Sequence, residues 1–182
     1  MADFRAELLE ALPEIGWIED AALREKVVAA HMKALGLSGR TVASLGRMPF
    51  TLLIDPCPAS YIEHVRAVTR VAASAADAMQ EIYGAKLKLQ RDIVLAAAML
   101  HDIGKLLEIG EGADGRPQKT RSGQLLRHPF SGLGLLFDLG LPEEVLHAVA
   151  VHAREGEGGY RTPEASLVHF ADFMNFEPFR AK

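Results

Sequence analysis

An all-α fold is predicted by the composition of the chain and by the spacing of its apolar residues. Alanine and leucine, which favour helices, are abundant, whereas only 7% of the 182 residues are aromatic. Apolar residues also recur three and four positions apart, which is the spacing of a helix with one buried face. We therefore expect a helical bundle with, at most, one small hairpin.

The helices can be assigned in chain order from these apolar stripes and from helix-starting residues. The helix expected over residues 89–107 is apolar over more than half its circumference, which predicts the central position in the bundle. Pro142 and Pro163 stand at helix starts, where a missing N–H does no harm. Residues 110–117 are polar and glycine-rich, and we expect a loop or a small hairpin there. The segments expected to be helical are residues 3–12, 19–35, 38–47 (capped by Ser38), 59–83, 89–107, 123–138, 142–154 and 163–176.

The helical pattern breaks at Asp55-Pro56-Cys57-Pro58, where two prolines prevent a continuous helix. We interpret this run as a linker. The boundary placed there divides the chain into an N-terminal helical extension, residues 1–55, and a main helical domain, residues 56–182. The extension could shield a site, form a homodimer contact or bind a partner, and the sequence does not choose among these roles.

Composition and charge exclude several classes of protein. With 49% hydrophobic and 24% charged residues, the chain can form an ordinary globular core. The formal net charge is −4 and no basic face stands out, so binding to long nucleic acid is not expected. Cys57 is the only cysteine, which excludes an intramolecular disulfide and suits a reducing compartment. There is no signal-peptide pattern and no apolar run of about 20 residues, so we expect a cytoplasmic protein without a membrane span.

A buried polar pair is the most informative feature of the sequence. His101 and Asp102 directly follow eight unbroken apolar residues, Ile93 to Leu100. A histidine and a carboxylate at the end of a buried helix are costly to desolvate unless they are compensated, and a metal ion is the usual compensation. We therefore interpret the pair as metal ligands.

Other histidines and an aspartate supply further candidate ligands. Any one histidine in a helix is more often an ordinary buried or surface residue, which is how we interpret His31, His147 and His169. His169 shares a helix face with Asp172 and could instead orient it or a bound water. The candidate ligands, enough for two metal ions, are His64, His101, Asp102, His128, His152 and Asp172.

Lys105 places a cation beside this predicted metal site. A lysine there makes sense if an anionic group such as a phosphate binds next to it. The alternative is a solvated lysine at a helix C-terminus, where the helix dipole favours a positive charge. Gly104 would allow the backbone or a substrate to approach closely.

The order His64, His101-Asp102 and Asp172 resembles the H…HD…D signature of the HD-domain superfamily of metal-dependent phosphohydrolases. The resemblance covers roughly residues 58–176. It implies an HD-domain helical bundle in which these four side chains hold a metal ion.

Two further histidines, His128 and His152, resemble those of the binuclear branch of the superfamily. They would hold a second ion, and Asp102 would bridge the two. Histidine and carboxylate ligands suit iron or manganese, and also nickel or cobalt.

Three subfamilies differ from the chain in features that mark their activity. Cyclic-di-GMP phosphodiesterases carry a histidine pair and a Gly-Tyr-Pro run, whereas this chain has His152 followed by Gly158-Gly159-Tyr160-Arg161. The (p)ppGpp hydrolases carry a Glu-Asp pair where this chain has Lys105-Leu106-Leu107. Residues 123–128 and 162–165 resemble the HD domain of some 3′-to-5′ exoribonucleases, but we expect no RNA-holding OB fold like that of those enzymes in this chain. A short or small substrate is therefore more plausible than a long RNA.

The resemblance implies hydrolysis of a phosphate ester, with a nucleotide-like or other small phosphorylated compound as substrate. Asp102 and Lys105 would act in catalysis, and Lys105, Arg127 and Arg154 would contact the phosphate. For the two arginines, an ordinary surface position is an equal alternative.

Two other functions stay open from the sequence. The same six ligands resemble those of the mixed-valent di-iron oxygenases of the superfamily, some of which also carry a lysine after the HD pair. The other possible function is a non-catalytic signalling domain. Such domains are recognised by the loss of metal ligands, however, and all six candidate ligands are present here.

Overall fold

The computed structural model describes residues 4–180, and these form an all-α bundle with one small two-stranded sheet, as predicted. Strands β1 (Ile109–Glu111) and β2 (Pro117–Lys119) pair antiparallel as a hairpin. The helices are α1 (Phe4–Ala11), α2 (Ala21–Ser38), α3 (Val42–Leu45), α4 (Tyr61–Tyr83), α5 (Arg91–Leu100), α6 (Lys105–Glu108), α7 (Arg121–Leu125), α8 (His128–Leu136), α9 (Glu143–Val151) and α10 (Pro163–Arg180).

Helix α5 lies at the centre of the bundle. Its residues from Ile93 to Leu100 are all buried, and it contacts α2, α4, α9 and α10. Because these eight residues carry no polar side chain, neighbours can surround the helix without leaving side-chain donors or acceptors unpaired. The predicted central position is confirmed.

The helix expected over residues 89–107 is interrupted, and this part of the prediction was wrong. Helix α5 ends at Leu100, and residues 101–104 form a tight turn before α6. A Cβ atom on Gly104 would lie 2.1 Å from the carbonyl oxygen of His128, so the turn depends on glycine. Helical periodicity carries no information about this close approach of α8.

The prediction of a single helix over residues 123–138 was also wrong, because the structure has two helices there. Helices α7 and α8 are separated by extended backbone at Leu126 and Arg127. Pro129 lies in the first turn of α8, where its missing N–H is harmless. Within one continuous helix it would remove a hydrogen bond and clash with the preceding turn. The break sets His128 at the start of α8.

Two other helix boundaries differ from the expectation. Helix α9 ends at Val151, before the expected end at residue 154. The short helix expected near residues 38–47 is α3, and Thr41 caps it instead of Ser38. The Thr41 hydroxyl accepts a hydrogen bond from a backbone N–H of the first turn, which an N-cap residue normally does.

The N-terminal elements share one hydrophobic core with the rest of the bundle. The boundary proposed at residue 56 therefore divides segments of chain that pack together. Fully buried side chains of this N-terminal region in the common core are Leu8, Leu12, Ile15 and Ile18.

A buried carboxylate adds an ionic contact between these N-terminal elements and α4. The side chain of Glu14 is fully buried, and it pairs with Arg66 at 3.1 Å and with Arg70 at 2.6 Å.

Across residues 4–180, none of the helices combines the length and the apolar character needed to cross a bilayer.

Candidate metal centre

The six predicted ligands meet at one end of α5, although they come from five segments of the chain. Five of them are buried, and the side chain of the sixth, Asp172, is 14% exposed. The ligands are His64 on α4, His101 and Asp102 in the turn after α5, His128 at the start of α8, His152 directly after α9 and Asp172 on α10.

The first ligand group consists of His64, His101 and Asp172. Nε2 of His64 lies 3.1 Å from Oδ1 of Asp172 and 3.4 Å from Nε2 of His101. A capping box between Ser60 and Glu63 starts α4 and so places His64 in its first turns. Phe50 stacks on the His64 ring with centroids 4.4 Å apart, which restricts the orientation of the imidazole.

The second ligand group consists of Asp102, His128 and His152. The Nε2 atoms of His128 and His152 lie 3.2 Å apart. Oδ1 of Asp102 lies 3.3 Å from Nε2 of His128 and 3.7 Å from Nε2 of His152.

Asp102 stands between the two groups. Its Oδ2 lies 3.2 Å from Nε2 of His64 and 3.3 Å from Nε2 of His101, while its Oδ1 faces the second group. Oδ1 is buried and has no hydrogen-bond partner among residues 4–180. An unpartnered buried carboxylate oxygen is costly, and a cation beside it would remove that cost.

The hydrogen bonds of the outer ring nitrogens make the inner nitrogens available as ligands. Nδ1 of His101 lies 2.7 Å from the carbonyl oxygen of Ala98, and Nδ1 of His152 lies 2.8 Å from that of Val149. A carbonyl oxygen only accepts, so each Nδ1 is the hydrogen-bond donor, and in a ring that binds a metal this leaves the lone pair of Nε2 facing the centre. Converging nitrogen lone pairs and carboxylate oxygens are the donor set of a transition-metal site, so these residues fit metal ions.

Charges within the site favour the ligating protonation states. Burial opposes ionisation of Asp102, but Lys105 and His101 hold its pKa well below the usual range. Burial likewise opposes ionisation of Asp172, yet the hydrogen bond from His64 and the nearby His101 keep the pKa of Asp172 low. Burial lowers the pKa of His128 to about 4, so this ring is neutral at pH 7.

The pKa of His64 is shifted in the opposite direction to that of His128. Burial disfavours its charged form, but hydrogen bonds to Asp102 and Asp172 outweigh burial and raise the pKa of His64. A proton and a metal ion therefore compete for this ring, and lower pH weakens metal binding.

Lys105 lies between the ligands and the cavity beside them. Its Nζ is 2.5 Å from Oδ2 of Asp102 and 5.6 Å from the centre of the Phe50 ring. The Lys105 side chain is only 12% exposed, so it is not a freely solvated surface lysine.

A cavity of about 480 Å³ opens onto the ligands. Arg127 and Arg154, the two arginines predicted to bind phosphate, both line it. Arg127 also pairs with Glu155 at 3.0 Å, whereas no ionic partner of Arg154 is observed within residues 4–180. Phe50, Phe173 and Phe176 give the cavity an aromatic wall, and its cationic side chains are Lys105, Lys119, Arg127, Arg154 and Arg180.

Two residues of the site were missed by sequence reasoning. Glu108 is buried and contacts both the backbone and the ring of His128, and Phe50 stacks on His64. The signal for Glu108 was an acidic residue flanked by Leu106-Leu107 and Ile109, that is, a charge in an apolar stretch. Phe50 lies in a loop, and nothing in the sequence marks it.

The remaining histidines lie outside the ligand groups. Nδ1 of His169 lies 2.5 Å from the carbonyl oxygen of His152, so His169 supports a ligand backbone instead of orienting Asp172. His147 is half-buried near Tyr160, with ring centroids 5.8 Å apart. His31 is buried in α2, where its Nδ1 lies 3.0 Å from the carbonyl oxygen of Val27.

Comparison with known families agrees with this geometry. The model of the HD domain family matches residues 61–174, more than half of the chain, and this stretch contains all six predicted ligands. The chain belongs to the HD domain family. The family predicted from the sequence is thereby confirmed.

Curated relatives of the chain include two kinds of enzyme. The dihydroneopterin 2′,3′-cyclic phosphate phosphodiesterase of Methanocaldococcus jannaschii is 30% identical over 168 residues, which are 85% of this chain and 63% of that protein. Ribonuclease Y of Borrelia garinii subsp. bavariensis is 31% identical over 152 residues, and that of Borreliella burgdorferi is 30% identical. These residues are 83% of this chain but only 25% of either ribonuclease. No solved structure matches the chain significantly.

Proposed function

We propose that the chain is a metal-dependent phosphohydrolase with a binuclear metal centre, acting on a small, nucleotide-like phosphate ester. The single observation that carries the proposal is the placement of Asp102, whose two oxygens face two separate groups of histidines. Both kinds of curated relative named above are enzymes of phosphate-ester chemistry, which supports a phosphodiesterase or phosphomonoesterase.

Six side chains would hold the ions, and the chemistry of their donor atoms suits Fe²⁺ or Mn²⁺, with Co²⁺ and Ni²⁺ as further candidates. Two such ions, when bound, supply an activated water and neutralise negative charge on a phosphate. His64, His101, Asp102 and Asp172 would hold the first ion, and Asp102, His128 and His152 the second.

The cationic side chains of the cavity would orient the substrate. Lys105 is held by Asp102 at the floor, where its ammonium group can bind a non-bridging phosphoryl oxygen. Arg154 and Arg127 line the same cavity and can bind further phosphate oxygens. The aromatic wall of Phe50, Phe173 and Phe176 offers an apolar face for a planar ring.

Cavity size favours a small substrate. About 480 Å³ lies within the range of small-molecule sites, roughly 300–1,000 Å³. The formal net charge of −4 gives no general attraction for a long nucleic acid. The cyclic phosphate in the name of the Methanocaldococcus jannaschii relative is one candidate substrate.

Metal content and activity test the proposal together. Protein purified without oxygen should contain two metal ions per chain, His128→Ala should lose the second, and His101→Ala should weaken the first. Linear and cyclic nucleotide phosphates assayed with Mn²⁺ or Fe²⁺ should be hydrolysed, and Lys105→Gln should lower kcat about 100-fold without loss of metal.

Exposed Glu143 on α9 provides the control, because Glu143→Gln should change neither metal content nor rate. A metal-loaded wild type that releases nothing from any of these esters would contradict hydrolysis. Substrate-dependent oxygen uptake would instead support an oxygenase.

A further inference from the structure

The carboxylate of Glu108 contacts His128 at two points. Its Oε2 accepts a hydrogen bond of 2.8 Å from the backbone N–H of His128 and lies 2.8 Å from Nδ1 of the same residue. Oε2 accepts from the backbone N–H of His128, so it acts as the acceptor for the ring as well. Nδ1 of His128 therefore carries the proton, and Nε2 is left as the inward ligand.

The two ligand groups are unequal in charge. The first has the carboxylate of Asp172 in addition to one oxygen of Asp102, whereas the second has only the other oxygen of Asp102. For His101 and His152 the Nδ1 partner is a neutral backbone carbonyl. The partner of His128 is a carboxylate, so a negative charge stands behind the group that has less of its own; the other oxygen of this carboxylate lies 3.9 Å from Arg127.

Backbone contacts at the base of the β1–β2 hairpin fix the position of Glu108. The N–H of Thr120 donates to the carbonyl oxygen of Glu108 at 2.9 Å. Gly123 packs directly against the same residue, since a Cβ atom there would lie 2.3 Å from that oxygen and 2.8 Å from Cγ of Glu108. The location of the carboxylate is therefore set by a close contact that only glycine allows.

We infer that Glu108 is a positioning residue that strengthens binding of the second metal ion, the one assigned to Asp102, His128 and His152. This inference rests on the binuclear centre proposed above. A carboxylate on Nδ1 fixes the tautomer and orientation of the ring and makes Nε2 a more basic ligand. Glu108 acts through His128 and needs no contact with the ion.

Calorimetric titration of Mn²⁺ into the metal-free full chain tests the inference. The wild type should show two binding steps, which His101→Ala and His128→Ala assign to the two groups. Glu108→Gln keeps the shape and the acceptor but removes the charge. It should weaken the second step by about 10–100-fold and leave the first within about twofold. Glu143→Gln, which removes an exposed carboxylate, should leave both steps unchanged.

A second variant covers the case in which Glu108→Gln folds poorly. Gly123→Ala keeps the charge but displaces Glu108, so it should also weaken the second step selectively. Its matched control is Gly134→Ala on α8, because a Cβ atom at Gly134 meets nothing within 4 Å.

The outcomes separate this inference from the proposed function. Selective weakening of the second step supports the role of Glu108. Equal weakening of both steps, with a lower unfolding temperature of the metal-free variant, would show a merely structural role and overturn it. A variant that titrates like the wild type overturns it too. A wild type that binds one ion only would instead refute the binuclear centre itself.

Discussion

At the scale of single residues, His31 makes the stability of the fold depend on pH. It is fully buried in α2, its Nε2 has no hydrogen-bond partner among residues 4–180, and burial lowers its pKa from the ordinary value of 6.5 to about 4. The unfolded chain therefore takes up a proton at this residue at a higher pH than the folded chain does. Stability must fall as the pH drops from 6.5 through 4.

His31→Leu should remove this dependence. Because the folded pKa lies below the unfolded one, the histidine should cost about 2 kcal/mol of stability between pH 7.5 and pH 5. Urea unfolding of both proteins at the two pH values, with a chelator present, gives the difference directly. The metal ligands titrate in both proteins and cancel. An equal loss in wild type and variant would show that folding does not lower the pKa of His31.

Single residues also mark the limit of sequence reasoning. His101 and Asp102 could be identified because two polar residues follow eight apolar ones. Glu108 could not be assigned a role, because its partner, His128, lies 20 positions away and on the far side of the hairpin. His31 and His128 are both helix histidines with a pKa of about 4, and their different roles can be recognised only from the atoms that surround them.

At the scale of secondary-structure elements, the turn between α5 and α6 orients the HD pair. The turn exists because Gly104 lets the backbone of α8 approach. A continuous helix would point His101 and Asp102 about 100° apart and carry the chain away from α8. The sequence predicts which stretches are helical, since apolar periodicity reports burial, but not where α5–α6 and α7–α8 are interrupted. It does not predict the turn, since that depends on a contact with His128.

Gly104→Ala should therefore destabilise the protein and disturb the ligands. Overpacking of this kind costs about 1–3 kcal/mol, and in a chain of this size about 2 kcal/mol lowers Tm by roughly 4–8 °C. Thermal unfolding measures the shift, and Mn²⁺ titration measures weakened binding. Gly134→Ala should be neutral or slightly stabilising, because alanine favours a helix where there is space. Equal behaviour of the two variants would contradict the close contact.

At the scale of the whole molecule, the Glu14 ion pairs join the N-terminal elements to α4. The carboxylate is fully buried, whereas the side chains of Arg66 and Arg70 are 36% and 54% exposed. Removal of the arginines would strand a buried charge, but removal of the carboxylate would leave arginines that can still reach water. The sequence could not predict this contact, because it joins residues more than fifty positions apart.

This asymmetry predicts a ranking of variants. Arg66→Ala with Arg70→Ala should cost about 3–5 kcal/mol of unfolding free energy, and Glu14→Gln should cost less. Adding Glu14→Gln to the double arginine variant should restore part of the loss, because the stranded charge is gone. Urea unfolding at pH 7.5 measures all four proteins. A triple variant less stable than the double would refute the argument.

The meeting of α4 and α10 has a consequence for how long the protein survives. His64 and Asp172 are more than a hundred positions apart in sequence, yet their side chains lie 3.1 Å from each other. An ion held by both would tie distant stretches of chain together, and only the folded chain offers it both ligands. At a free concentration of 100 times Kd, such an ion adds about 2.7 kcal/mol to stability. Metal starvation would then lower the activity of the protein and also shorten the time for which it resists proteases.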